Sequence, residues 1–366
     1  MSWREGVRAD LVALEEQVLA LQADAAGDFA RTRAAVVAWQ GANNPAVAGF
    51  WARRGFDPAR SGTMEVPAVP TDVFKVADLG APVGPVLRTF RTSGTTVGDR
   101  GAHPRRVLEA YRAGAVRHFG AWSGCLPGST RWVKLVFDGE EVPDSSLSWM
   151  VDRLEEAFGA GPRQPGLLGA DGLRLEAADQ TLQEAAAGEM PVVVFGTTFG
   201  LMHWLEESTL RVRLPAGSML VDTGGTKGRS REVSRPQLVT VVEERLGIPR
   251  QRCGTEYSMT ELSSQLWAWT GDDGEPLPLV PPRWLRVEAA DPENLAVLPR
   301  GQMGLLRMDD LANTDTVVAV QTSDLGVVHD DGTVTLMGRA PGATPRGCSL
   351  AVEEVLARLA GAGRGA

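Results

Sequence analysis

Thr92-Ser93-Gly94-Thr95-Thr96-Val97-Gly98-Asp99-Arg100 is the stretch whose reading decides the fold. Four hydroxyl side chains and two glycines fall within its first seven residues, and an arginine closes it. Val86, Leu87 and Phe90 upstream predict a short strand, and the segment from about 105 to 122 predicts a helix. Glycine lets the backbone approach an anion and present bare N–H groups. Hydroxyls donate to phosphate oxygens, and arginine adds charge in a planar fork. A loop of this kind between a strand and a helix suits a triphosphate. It is not a Walker loop, because the Gly-Lys-Ser/Thr ending is absent. Taken alone, the same residues also fit an ordinary polar turn.

The chain around it has 366 residues, 43% hydrophobic and 23% charged, an ordinary globular composition. That length suggests two domains, or one large domain with a small appendage. No apolar run is long enough to span a membrane, and Met1-Ser2-Trp3-Arg4-Glu5 lacks the core of a signal peptide, so a cytoplasmic location is expected. The formal net charge of −9 argues against a nucleic-acid binder. Cys125, Cys253 and Cys348 are odd in number and far apart, which speaks against a disulfide framework or a zinc cluster.

Val7, Leu11, Leu14, Val18 and Leu21 line one face of a predicted amphipathic helix. A second helix is expected from Asp28 to Trp39, with a short one after Asn44-Pro45. Residues 61–85, rich in Pro, Gly and Val, are expected to cross the surface. Beyond the loop, strands at 131–137, 191–195 and 218–222 alternate with helices. Asp144 or Ser145 would cap the helix whose apolar face is Leu147, Met150, Val151, Leu154 and Phe158. This is the pattern of an α/β domain with a largely parallel sheet, and ligands of such sheets sit at the carboxyl ends of the strands. From 283 to 338, short β-prone runs and the turn at Asp330-Asp331-Gly332-Thr333 predict antiparallel strands.

Four further clusters follow in order: Glu256 through Leu262, Gln321 through Gly326, Gly338-Arg339 and Arg346 through Leu350. With the Thr92 loop, Tyr257-Ser258-Met259-Thr260-Glu261, Ser323-Asp324 and Gly338-Arg339 resemble the ordered signature of the adenylate-forming superfamily, which includes acyl-CoA synthetases and luciferase-like ligases. Pro143-Asp144-Ser145-Ser146-Leu147, Thr223-Gly224-Gly225-Thr226-Lys227-Gly228-Arg229, Tyr257 through Gln265 and Gly338 through Leu350 more narrowly resemble the LuxE-type acyl-protein synthetase family. The resemblance covers roughly residues 70–360. It implies an adenylate-forming α/β fold with mostly parallel sheets, a smaller β region and a truncated C-terminal segment. The expected division is an N-terminal helical segment at 1–85 packed on the core, an α/β core at 86–335, and a short C-terminal segment at 336–366.

What the resemblance implies chemically is ATP-dependent activation of a carboxylic acid, by family expectation a fatty acid, followed by transfer to a thiol. Thr92, Ser93, Gly94, Thr95 and Thr96 would meet the β- and γ-phosphates. Family members end this loop in a lysine; here Arg100 is nearest. Thr260 would bond the α-phosphate and Glu261 would ligate magnesium, which favours one or two carboxylates plus phosphate oxygens. Asp324 would accept from the ribose hydroxyls, Tyr257 would stack on adenine, and Gly224 and Gly225 would let adenine lie against backbone. Arg339 would stand near ribose and phosphate, and Phe199, Met202 and His203 would line the acyl pocket. Each also has a plain reading: a capping pair for Thr260-Glu261, a turn aspartate before Gly326 for Asp324, core packing for the apolar residues. Cys348 lies where the family carries its acyl group as a thioester, beside Arg346 and ahead of a predicted helix, and both would favour its thiolate. In most superfamily members a mobile domain with a catalytic lysine follows the Gly-Arg hinge; residues 340–366 hold no lysine. The resemblance implies as acceptor Cys348 and then a reductase partner; CoA or a carrier-protein pantetheine is the alternative. A non-catalytic ligand-binding homologue is the reading from another class.

Overall fold

The computed structural model describes residues 4–24, 26–60, 65–92, 100–223 and 234–340. Three helices open it. α1 (Ala9–Ala23) buries Leu11, Leu14, Val18 and Leu21, the face its spacing predicts. α2 (Phe29–Asn43) starts at Asp28, whose side chain accepts from the Arg31 N–H at 3.1 Å. α3 (Pro45–Ala52) starts at Asn44 with proline in its first turn, where no intrahelical N–H is needed.

The stretch after them departs from expectation. Val66, Val69, Phe74, Leu79 and Ala81 are buried, and β1 (Val69–Pro70) pairs in parallel with a strand 251 residues away (Val69 opposite Val320). Its apolar side chains join the core that the three N-terminal helices share with that sheet. A second correction concerns the phosphate-loop candidate. β2 (Arg88–Arg91) and β3 (Ala102–Arg105) form an antiparallel hairpin, so the loop joins two strands. α4 (Glu109–Ser123) begins only after it. The hairpin places Phe90 against Tyr111 and Trp149, with ring centroids at 6.1 and 5.7 Å.

The central sheet follows the predicted alternation. β4 (Arg131–Leu135) leads to α5 (Ser146–Phe158), capped by Ser145 accepting from the Ser148 N–H. A small hairpin, β5 (Leu168–Gly169) and β6 (Gly172–Leu173), fills the glycine-rich stretch before α6 (Leu175–Ala186). Then come β7 (Val192–Thr197), α7 (Thr198–Glu207), β8 (Met219–Thr223), α8 (Arg235–Leu246), β9 (Cys253–Tyr257) and β10 (Leu266–Trp269). The strand order is β10-β9-β8-β7-β4; all neighbours are parallel except β10, which runs against β9. α4 and α5 cover one face, and α6, α7 and α8 the other. A sheet covered on both sides needs apolar residues at every position, which is why Val192, Val193, Val194 and Phe195 are all fully buried. At Gly254 a Cβ would come within 2.3 Å of the Trp122 ring, which stacks on Trp269 with centroids 4.0 Å apart. Glycine there is what lets the aromatic layer seat against the strand.

The second sheet holds β11 (Leu285–Ala290), β12 (Met303–Asp310), β13 (Ala319–Val328) and β14 (Val334–Arg339), antiparallel as predicted. The long β13 takes β12 on one side and both β1 and β14 on the other. The Asp330–Thr333 turn joins β13 to β14, with Gly332 at φ 85°. The segment after β10 carries the chain from the parallel sheet to this one.

Candidate functional site

Asp324 stands mid-strand on β13, directly opposite Arg339 on β14. Arg339 Nε lies 3.1 Å from its Oδ1, and the Tyr257 hydroxyl at the end of β9 donates to its Oδ2 at 2.9 Å. Three residues drawn from separate sequence clusters therefore meet on one carboxylate. The Asp324 side chain is 17% exposed and that of Arg339 26%, so the group remains open to a ligand. Burial, then the Asp324 charge, pushes the Tyr257 phenol well above its ordinary range, so it stays a donor at neutral pH.

Thr260 and Glu261 occupy the turn just after Tyr257, closed by Leu262 N–H donating to Met259 C=O at 3.0 Å. They do not cap a helix. The Ser146 hydroxyl, first residue of α5, lies 3.4 Å from the Thr260 hydroxyl. Glu261 is buried, and its main-chain oxygen accepts from the Asn313 amide at 2.9 Å. Among the described residues no three His, Cys, Asp or Glu side chains converge as a metal cage. A magnesium ion carried mainly on nucleotide phosphates needs only one protein carboxylate, and Glu261 fits that need.

The base of the phosphate-loop candidate is braced. Thr92 Oγ1 accepts from Gly101 N–H at 2.8 Å, and Arg100 Nε donates to the Thr92 carbonyl at 2.8 Å. Arg100 also pairs with Asp144 at 3.1 Å. The Arg91 N–H donates to the Asp144 carbonyl at 2.9 Å and Arg88 to that of Pro143 at 2.7 Å. The Pro143–Leu147 cluster thus ties the hairpin to the start of α5, a link that the sequence shows only as a helix start. Ser93, Gly94, Thr95, Thr96, Gly224, Gly225 and Cys348 lie outside the described residues.

Phe199, Met202 and His203 are half-buried on α7, with Met202 packed against the cluster under α6 and α8. α7 itself is capped by Thr197, whose side chain accepts from Gly200 N–H. Further polar residues gather at the strand ends nearby. Thr198 donates to Asp222 Oδ2 at 2.7 Å, Arg235 pairs with Asp222, and the Thr223 hydroxyl donates to Glu256. Cys125 and Cys253 are free thiols, and burial pushes Cys253 up to about 12, which leaves it inert at neutral pH. Among the described residues no helix is long and apolar enough to cross a membrane.

Residues 173–357 match the family described as acyl-protein synthetase, LuxE, a span that takes in Tyr257, Thr260, Glu261, Asp324, Arg339 and Cys348. Curated proteins give no match. Among solved structures the chain is similar to 2-hydroxyisobutyryl-CoA ligase in the postadenylation state with 2-HIB-AMP. That match has 18% identity and a TM-score of 0.60, and covers 86% of this chain and 68% of the ligase. An open conformation of the same ligase with 2-HIB-AMP and CoA aligns at 18% identity and TM-score 0.59, covering 86% and 76% of the two chains. At that identity the likeness speaks for the fold.

Proposed function

The chain belongs to the LuxE acyl-protein synthetase family of AMP-forming ligases, and on that premise we propose that it activates a carboxylic acid with ATP and hands the acyl group to its own Cys348. A carboxylate oxygen attacks the α-phosphorus, and the bond to the β-phosphate breaks, releasing pyrophosphate. The Cys348 thiolate then attacks the acyl carbon, and the carbon–oxygen bond to AMP breaks. A reductase-type partner would take the acyl group from that thioester. A reducing, cytoplasmic setting suits such a thiol.

The observation that carries this reading is the convergence of Tyr257 and Arg339 on Asp324. A carboxylate has about four acceptor sites. Tyr257 takes one on Oδ2 and the Arg339 guanidinium lies against Oδ1, which leaves acceptor sites for two ribose hydroxyls. Tyr257, held by its own hydroxyl, would offer its ring to adenine, with Gly224 and Gly225 as the backbone on the other side. Thr260 would donate to the α-phosphate, and Glu261 would hold magnesium, which supplies charge neutralisation when bound. Thr92, Ser93, Thr95, Thr96 and Arg100 would receive the outer phosphates, and Phe199, Met202 and His203 would border the acyl chain. A fatty acid is what the family resemblance implies.

The test is intact mass of the protein after incubation with ATP, magnesium and a panel of carboxylic acids, with and without hydroxylamine. A hydroxylamine-labile adduct of acyl mass, absent in Cys348→Ser, is the expected result. Pyrophosphate release without an adduct would move the acceptor to CoA or a carrier protein. Neither signal, across the panel, would leave only the ligand-binding homologue.

A further inference from the structure

The turn from Pro143 to Ser146 stands between two parts of the candidate site. On one side is the base of the phosphate-loop candidate. The Pro143 carbonyl accepts from Arg88 Nη1 at 2.7 Å and the Asp144 carbonyl from the Arg91 N–H at 2.9 Å, so both ends of β2 are bonded to this turn. On the other side is the turn after β9, where the Ser146 hydroxyl lies 3.4 Å from that of Thr260. Between them Ser145 caps α5, accepting from the Ser148 N–H at 3.1 Å. The turn is therefore tied to a strand and to a helix, and its place does not depend on side chains in water.

Asp144 is the charged residue of this turn. Its Oδ2 lies 3.1 Å from Arg100 Nη1, while Arg100 Nε donates to the Thr92 carbonyl at 2.8 Å. Thr92 is fixed in turn, its hydroxyl accepting from Gly101 N–H at 2.8 Å and its own N–H donating to the Gly101 carbonyl at 3.0 Å. A guanidinium is a rigid planar fork, so contacts on two of its nitrogens set both its plane and its rotation. Neither contact uses Nη2. The two side chains are 29% and 27% exposed. A pair that open to water contributes little to stability, because two long side chains must be ordered to keep it. Here the backbone on each side supplies the ordering, and what the pair fixes is the position of a charge. A charge held in place before its ligand arrives loses nothing to reorganisation when it binds.

We infer that Asp144 is a positioning residue for the outer phosphates: with the Thr92 carbonyl it holds Arg100 so that Nη2 is presented to the triphosphate of ATP. This rests on the nucleotide reading and deepens it. Asp144 touches no phosphate itself, and its effect passes through Arg100. Because Ser146 belongs to the same turn, one tethered piece of chain sets the spacing between Arg100, for the outer phosphates, and Thr260, for the α-phosphate.

The test is equilibrium binding of ATP and of AMP, with magnesium and without any acid, to the parent protein and to R100Q, D144A, D144N and the double variant R100Q/D144A. AMP lacks the outer phosphates, so the ratio of the two dissociation constants reads the Arg100 end alone, whereas a general loosening of the site would move both. R100Q should weaken ATP by about tenfold or more, as the loss of charge-assisted bonds requires, and leave AMP within about twofold. D144A should weaken ATP by about threefold to tenfold and likewise spare AMP. D144N keeps an acceptor oxygen beside Nη1 and should lose less. The double variant should bind ATP as R100Q does, because Asp144 then has nothing to position. ATP bound by D144A as tightly as by the parent, or more tightly, with R100Q weakened, overturns the inference and leaves Arg100 at the phosphates. So does a D144A loss that is the same factor for ATP and AMP, or one that adds in full to that of R100Q. ATP bound equally by R100Q and the parent removes Arg100 from the phosphates, and this inference with it.

Discussion

Two arginine–aspartate pairs of the same length do opposite things in this molecule. Arg105 and Asp315 are 3.0 Å apart with side chains 3% and 0% exposed; Arg339 and Asp324 are 3.1 Å apart at 26% and 17%. The first is shut away from solvent. Arg105 also donates to Ser263 at 2.7 Å, Asp315 accepts from the Arg106 N–H, and its main-chain oxygen accepts from Ala81 N–H at 2.8 Å. It joins β3, the 311–316 loop and the segment after β1. The second pair keeps acceptor sites unused and a path to solvent. Distance alone therefore does not tell structure from function; what the remaining lone pairs meet does. A buried pair stabilises only when its hydrogen bonds are complete, and an incomplete, reachable one is a place for a ligand.

The comparison breaks most visibly at the closed pair. Asp315→Ala strands the Arg105 guanidinium in the interior, and removing one partner of a buried pair costs about 3–5 kcal/mol. The denaturant midpoint should fall accordingly, with activity lost through unfolding. A midpoint equal to the parent's would mean that Asp315 is not structural. At the open pair the signs reverse. Asp324→Ala should leave the midpoint within about 1 kcal/mol, because the partners can turn to water. It should cost on the order of 100-fold in kcat/KM for ATP, roughly 2.7 kcal/mol, as expected for charge-assisted bonds to two hydroxyls. Unaltered exchange kinetics in this variant would remove Asp324 from the nucleotide site.

How far the chain discloses this difference depends on range. The parallel strands are legible because Val192-Val193-Val194-Phe195 needs burial on two faces, and the Ser145 and Asp28 caps because they act within one turn. The β2–β3 hairpin is not legible: His103-Pro104-Arg105 carries no alternation, and its pairing follows from packing Phe90 against Tyr111 and Trp149. β1 is two residues long, too short for any period. Asp324 illustrates the limit best. Gly326 beside it suggests a turn, yet the glycine serves a strand irregularity where a Cβ would lie 2.9 Å from Leu306 and from the Thr335 carbonyl. Ordered motifs name Tyr257, Asp324 and Arg339, but not that they share one carboxylate. Glu256 opens the Tyr257 cluster in the sequence, but only the strand shows which face it takes.

The smallest expected effect concerns pH and returns to the closed cluster. Glu15 on α1 is buried beside that pair; it accepts from Ala110 N–H at 2.8 Å and from the Thr314 hydroxyl. Burial pushes its carboxyl up to about 7, with Asp315 adding to the push and Arg105 opposing it. The folded chain therefore holds a proton that the unfolded chain releases near 4.5. A raised carboxyl contributes stability that is fully present below the unfolded value and is lost as pH rises through the folded one. Unfolding free energy should thus decline between about pH 4.5 and pH 7 by on the order of 2 kcal/mol from this group. Glu15→Gln keeps the shape and cannot ionise, so urea midpoints at pH 5 and pH 7.5 should lie closer together in the variant than in the parent. Glu256, pushed up in the same way, supplies a second slope that Glu15→Gln leaves in place. Equal slopes in variant and parent would mean that Glu15 is ionised in the fold, held by the Ala110 N–H at the start of α4 more strongly than burial opposes it.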